Sequence, residues 1–195
     1  MLKDKKFILA SGSPRRIEMM RTKGLEPQIM PAHIDENIPQ KNGMCETAMF
    51  LALKKAQATE AEYIKGGGIA GPVIIAADTI VYKDGEIMGK PADAADGFRM
   101  LDKLRNDHHF VVTGVALLEA GAQNTRVFAD ITKVYFKDYS DDELYAYLDT
   151  DEAYDKAGAY AIQGYFAKHV DHIEGSYHNV MGFPWERIEK ELEKL

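Results

Sequence analysis

Phe7-Ile8-Leu9-Ala10-Ser11-Gly12-Ser13-Pro14-Arg15-Arg16 is the stretch that sets the architecture of this chain. Four successive apolar residues, Phe7 to Ala10, predict a buried strand, and Ser13-Pro14 predicts the start of a helix. Serine suits the N-cap because its oxygen accepts a hydrogen bond from an orphan backbone N–H, and proline suits the first helical position. Arg15 and Arg16 then occupy the first turn, where the helix macrodipole is already positive and favours acids. Each such charge costs from a few tenths to about 1 kcal/mol unless an anion sits there. A strand feeding a helix start lined by two arginines points to a phosphate site. A solvated arginine pair on an ordinary helix is the plainer alternative.

Helical and strand patterns alternate along the rest of the chain. Gln28-Ile29-Met30 predicts a short strand ending at Pro31. Residues from about Glu46 to Ile64 predict a long helix, with Ala48, Leu51 and Ala52 at helical spacing and Gly66-Gly67-Gly68 at its end. Val73-Ile74-Ile75-Ala76-Ala77 predicts an apolar strand with Asp78 directly after it. Thr79–Lys83, a turn at Asp84-Gly85 and Glu86-Ile87-Met88 follow, then a helix from about Ala92 to Leu104. His109–Leu118 and Arg126–Lys137 read as long strands joined by a glycine-containing turn. Ser140-Asp141-Asp142-Glu143 is a capping box that opens a short helix reaching Leu148. The last helix starts at Pro184 and places Trp185, Ile188, Leu192 and Leu195 on one face. With no internal repeat and no low-complexity linker, the pattern predicts a mixed α/β domain.

A chain of 195 residues suits one domain, or one domain with two lobes. At 46% hydrophobic and 28% charged it has the composition of a globular protein. A net charge of −7 argues against non-specific binding to nucleic acid or to acidic membranes, so any polyanion needs a local basic cluster. The lone cysteine, Cys45, excludes an internal disulfide framework and suits a reducing cytosol. It falls in a helical stretch and reads as a small apolar packer. The basic start Lys3–Lys6 precedes too few apolar residues for a secretory segment, and no run reaches the length of a membrane span. A cytoplasmic location is expected.

Two familiar patterns fail on context. Gly66-Gly67-Gly68-Ile69-Ala70-Gly71 matches the dinucleotide fingerprint, but a helix precedes it and a strand follows, the reverse of what the fingerprint needs. Gly85-Glu86-Ile87-Met88-Gly89-Lys90 is one residue short of a P-loop and has Pro91 where a hydroxyl should bind magnesium. Lys90 still stands in a glycine-proline turn after a strand, within reach of a phosphate by other means.

Other residues converge on the same chemistry. Asp78 stands at an expected strand end, where α/β proteins place ligand contacts, although a carboxylate there can simply cap a turn. Lys55 shares a stripe with Ala48, Leu51 and Ala52, so it either snorkels outward or serves a buried anion. Asp35-Glu36 follow a short strand, as a metal-binding pair or as solvated loop acids. Asp155-Lys156-Ala157-Gly158 and Gln163-Gly164 are polar and glycine-punctuated, too poor in apolar residues for plain packing. His169, His172 and His178 do not form a zinc spacing, and His108-His109 begins a strand. Arginines, lysines and separated carboxylates together are the equipment for metal-assisted attack on a polyphosphate.

Many short motifs, in order and nearly end to end, make the chain resemble the Maf family of nucleoside triphosphate pyrophosphatases. They are Ser11-Gly12-Ser13-Pro14-Arg15-Arg16, Asp35-Glu36, Leu51-Ala52 with Lys55-Ala56, and Ala77-Asp78-Thr79-Ile80-Val81. Gly89-Lys90-Pro91, Thr113-Gly114-Val115, Asp155-Lys156-Ala157-Gly158-Ala159-Tyr160 and Ile162-Gln163-Gly164 continue the series. Gly175-Ser176-Tyr177, Asn179-Val180 and Gly182-Phe183-Pro184 close it. The resemblance implies a single domain over 1–195: a mixed central sheet with flanking helices, in two lobes around a substrate cleft, as in Maf and ITPase-like proteins. It implies hydrolysis of a nucleotide to the monophosphate plus pyrophosphate. Arg16, Gln163 and the run Asp155–Tyr160 are similar to the branch acting on dTTP and UTP, whereas the 7-methyl-GTP branch differs at these places. Normal and modified pyrimidine nucleotides both stay open as substrates. One departure is Asp151-Glu152-Ala153, where the family commonly has Gly-Glu-Pro, which bears on loop stiffness.

The resemblance also assigns roles. Glu36 and Asp78 help bind Mg2+ or Mn2+, and Asp78 orients or deprotonates the attacking water. Ser13, Arg15 and Arg16 hold the departing phosphates, Lys55 and Lys90 neutralise developing charge, and Gln163 contacts phosphate or base. Family members are often dimeric, and no stretch here marks an interface. A nucleotide-sensing regulator of cell division with incidental hydrolysis is the competing class. It has no use for carboxylates aimed at the same phosphates, which repel anions unless a metal intervenes. A phosphatase attacking the terminal phosphorus would carry the same residue types.

Overall fold

The computed structural model describes residues 5–36 and 43–195, and Lys3 of the basic start lies outside them. In chain order the elements begin with β1 (Phe7–Leu9), α1 (Pro14–Thr22), β2 (Gln28–Ile29) and α2 (Met44–Lys65). They continue with β3 (Val73–Lys83), β4 (Glu86–Met88), α3 (Ala94–Leu104), β5 (His108–Glu119) and β6 (Thr125–Phe136). The last are α4 (Asp141–Leu148), β7 (Val170–Glu174), α5 (Tyr177–Val180) and α6 (Trp185–Leu192), with 3-10 turns at Ala157–Ala159 and Tyr165–His169. Among the described residues the strands form one seven-stranded sheet in the order β2-β1-β3-β5-β6-β7, with β4 paired to β3.

The opening stretch folds as its residues dictate. Phe7, Ile8 and Leu9 are buried, and β1 lies parallel to both β2 and β3, with Ile8 opposite Gln28 and Ile74. Parallel pairing requires a crossover, which α1 and α2 supply. The mixed sheet with helices matches the expected class.

Two expectations are corrected. Asp78 does not follow a strand; it lies inside the eleven-residue β3. The run Thr79-Ile80-Val81-Tyr82 favours extended backbone and holds neither glycine nor proline, so nothing stops the strand at Asp78. Ser13 is the N-cap of α1 and Pro14 its first residue, but the Ser13 side chain makes no capping bond. Cys45 lies in the first turn of α2, partly buried, and burial pushes its thiol up. The strand β7 and the helix α5 escaped prediction, being too short to show periodicity. The capping box at Ser140 forms as read, with Ser140 and Glu143 satisfying each other's backbone N–H groups.

The described chain packs as two compact units. One comprises residues up to Asp78, Thr113–Asp130 and Gly182–Leu195; the other comprises Thr79–Val112 and Ile131–Met181. The first has a core of small and branched residues, including Ile8, Ala52, Ala56, Ile74, Ala76, Ala116 and Leu118. Gly114 in β5 explains how closely α2 lies on the sheet there. A Cβ at Gly114 would stand 2.1 Å from the Ala48 carbonyl oxygen, so the helix backbone rests directly on the strand. The second unit has an aromatic core that includes Phe136, Tyr139, Tyr147, Tyr160 and Phe166. His109 is fully buried there, with Nε2 2.7 Å from the Tyr160 hydroxyl.

Candidate active site

Small residues on α2 let that helix sit close to the sheet, and Lys55 emerges from the face that carries Leu51, Ala52 and Ala56. Its Nζ lies 2.5 Å from Asp78 Oδ1 and 2.8 Å from Glu36 Oε1. Asp78 is buried and Glu36 is mostly exposed. Lys54, the neighbour of Lys55, donates to the Asp35 carbonyl and holds the segment carrying Glu36 against α2. Two carboxylates from separate parts of the chain thus converge on one ammonium. This resolves the alternatives for Lys55: it does not snorkel outward but serves anions of the protein itself.

Arg16 comes to the same place from α1. Its Nη1 donates to the Ala77 carbonyl at 2.8 Å and to Ser11 Oγ at 3.3 Å, and its Nε donates to the Gly182 carbonyl at 2.9 Å. Burial pulls the guanidinium below its ordinary value, Asp78 and Glu36 oppose that pull, and Arg15 adds to it. Most of the Arg16 fork is therefore spent on the protein, fixing the first turn of α1 to the backbone beside Asp78. Arg15 is half-buried and makes no side-chain hydrogen bond or ion pair with any described residue. The two arginines, expected to act alike, divide into an anchor and an unengaged cation. The Ser13 N–H donates to Ser11 Oγ at 3.2 Å, which leaves the Ser13 hydroxyl uncommitted to the helix.

Arg16, Lys55, Asp78 and Glu36 are therefore brought together in the first unit, with Ser13 and Arg15 on the adjoining helix start. Lys90 and Gln163 belong to the second unit. Lys90 is exposed after β4, next to Gly89, whose carbonyl accepts from the Gly158 N–H at 3.0 Å. Gln163 is exposed in the turn before Gly164. Sequence reasoning did not assign Ser11 a role of its own or single out Lys54. Gly182 it noted only within a motif, because a carbonyl acceptor 166 residues from its arginine leaves no trace in the chain's pattern.

Among the described residues no group of three or more His, Cys, Asp or Glu is arranged to hold a metal ion. Glu36 and Asp78 nevertheless offer an all-oxygen donor set held close to one cation. Magnesium is commonly bound through one or two carboxylates plus substrate phosphates, so the pair fits a hard divalent ion. Among the described residues no helix is long and apolar enough to cross a membrane.

The sheet, the arginine-bearing helix start and the lysine between two carboxylates define an α/β protein with a clustered ionic site in its first unit. The chain belongs to the Maf-like protein family, whose model matches residues 6–195. It is 45% identical over 183 residues to a dTTP/UTP pyrophosphatase of Citrifermentans bemidjiense, covering 94% of this chain and 92% of that one. It is 42% identical over 195 residues to one of Geobacter metallireducens, covering 100% and 98%. It is 41% identical over 191 residues to one of Caldicellulosiruptor bescii, covering 98% and 95%. In fold it is similar to the Staphylococcus aureus Ham1 protein, with a TM-score of 0.54 at 15% identity over 97% of this chain and 99% of that one.

Proposed function

We propose that this protein hydrolyses dTTP and UTP, or modified pyrimidine nucleotides of the same shape, to the monophosphate and pyrophosphate. The observation that carries the reading is Lys55 held between Asp78 and Glu36. The names of the relatives support the substrate and the bond cleaved. Glu36 and Asp78 would hold Mg2+ or Mn2+, which when bound neutralises phosphate charge and draws the triphosphate toward the carboxylates.

The chain's own residues do the rest. Asp78 Oδ orients a water and takes its proton as the water oxygen bonds to the α-phosphorus. The bond from that phosphorus to the bridging oxygen breaks, and pyrophosphate leaves. Lys55 keeps the Asp78 carboxylate aimed and places an ammonium beside the charge that develops on the phosphoryl oxygens. Arg15 and the Ser13 hydroxyl bind the departing phosphates at the start of α1, which Arg16 holds in place. Lys90 adds a second point charge for the phosphates, and Gln163 contacts the nucleotide. The protein is proposed to act in the cytoplasm, and a homodimer is its proposed assembly.

Product analysis tests this. Incubation with Mg2+ or Mn2+ and dTTP, UTP, CTP, GTP or 7-methyl-GTP should yield monophosphate plus pyrophosphate from dTTP and UTP first. Asp78→Asn should lose turnover by about 100- to 10,000-fold while still binding nucleotide. Diphosphate plus phosphate as products, or near-normal turnover in the variant, contradicts the proposal.

A further inference from the structure

Glu152 lies in the turn after α4, half-buried. Its Oε2 accepts a hydrogen bond from the Tyr165 backbone N–H at 3.2 Å. Tyr165 opens a 3-10 turn whose N-cap, Gly164, has no side chain to satisfy that N–H. Glu152 supplies the acceptor that a glycine cannot. The fit is close: Gly164 has a φ of +155°, and a Cβ there would stand 2.0 Å from Glu152 Oε1. Glycine at 164 and a long carboxylate at 152 thus fill this space jointly.

The backbone of Glu152 is engaged as well. Its carbonyl accepts from Lys156 Nζ at 2.8 Å, and its N–H donates to Thr150 Oγ1 at 3.4 Å. The residue therefore ties the turn at 150–156 to the turn at 163–165. Oε1 is buried, and the carboxylate also faces the buried Tyr147 hydroxyl, whose ionisation burial and this charge both oppose. The carboxylate therefore packs into the turn at 163–165 rather than reaching into solvent. Gln163, one residue before the pinned Gly164, is exposed and makes no hydrogen bond to any described residue. Its place is set by the backbone that Glu152 holds.

We propose that Glu152 is the positioning residue for Gln163, fixing the Gln163-Gly164-Tyr165 turn so that the Gln163 amide meets the nucleotide. This rests on the reading that Gln163 contacts substrate. The residue touches no substrate itself, so its removal acts on nucleotide affinity rather than on the chemical step.

Two readouts test it: amide hydrogen exchange over residues 163–166, and KM and kcat for dTTP. Glu152→Ala should lose protection at the Tyr165 N–H and raise KM about tenfold with kcat little changed. Gln163→Ala should raise KM similarly, and the double variant should be no worse than Gln163→Ala alone, because the first residue acts through the second. Glu152→Gln keeps an acceptor of the same reach and should behave as wild type, whereas Glu152→Asp is one methylene short and should resemble Glu152→Ala. This pair decides the matter if Glu152→Ala does not fold. Unchanged exchange at Tyr165, KM effects that multiply in the double variant, or the reverse order for Gln and Asp would overturn the proposal. A wild-type protein inactive on dTTP and UTP would count against the proposed function, while the exchange result still judges the positioning.

Discussion

Lys55 Nζ and Asp78 Oδ1 stand 2.5 Å apart with their side chains only 14% and 11% exposed. In such a setting each charge depends on the other, and removing one partner costs about 3 kcal/mol because the remaining ion stays out of water. Lys55→Met should therefore lose about 3 kcal/mol in urea denaturation. Adding Asp78→Asn should restore most of it. A Lys55→Met protein as stable as wild type would contradict the pairing.

Arg15 and Arg16 should separate by experiment although they are adjacent. Lysine at 16 is a single point donor and cannot span the Ala77 and Gly182 carbonyls, so Arg16→Lys should cost about 2 kcal/mol of stability. Arg15→Ala should leave stability within about 0.5 kcal/mol and raise KM for dTTP about tenfold. Equal stability losses in the two variants would refute the division.

Much of the fold was legible because it rests on local pattern. The apolar runs at Phe7–Ala10 and Val73–Ala77 became paired parallel strands, and the capping box at Ser140 opened its helix. The strand expected to end at Ala77 runs on to Lys83, because the extended preference of Thr79-Ile80-Val81 outweighs one carboxylate at Asp78. Within the site, residue types were legible and their partners were not. Lys55 could be seen on the apolar stripe, but nothing local revealed that it bridges Glu36 and Asp78. The commitment of Arg16 to carbonyls was equally invisible, since backbone acceptors carry no residue signature.

Gly114 offers a test of how the sheet places Lys55. A methyl group there would stand 2.1 Å from the Ala48 carbonyl oxygen, and backbone cannot yield as a side-chain tip does. Gly114→Ala should therefore destabilise by about 2 kcal/mol or more and lower activity by lifting α2, which carries Lys55. Full activity and unchanged stability would show that α2 does not need this close seat.

His109 should impose a pH dependence on stability. Burial pushes its imidazole down to about 3, with Lys83 and His108 adding to the effect and Asp107 opposing it. The folded protein then stays unprotonated at this site where the unfolded chain, near its ordinary value of about 6.5, takes up a proton. Stability is intact above about pH 6.5 and falls as pH drops, by up to about 1.4 kcal/mol per unit. Asp107, held down to about 2 chiefly by Lys83, acts in the same direction only below about pH 4. Urea denaturation at pH 7, 6, 5 and 4 should show this slope in wild type and its loss in His109→Gln; identical slopes would contradict it.

The central claim is attack by water at the α-phosphorus, with Asp78 taking the proton. The direct test is turnover of dTTP in water enriched in oxygen-18, with mass analysis of both products. Label in the thymidine monophosphate and none in the pyrophosphate is the predicted result. Label in the pyrophosphate would place the attack on the β-phosphorus and contradict the account.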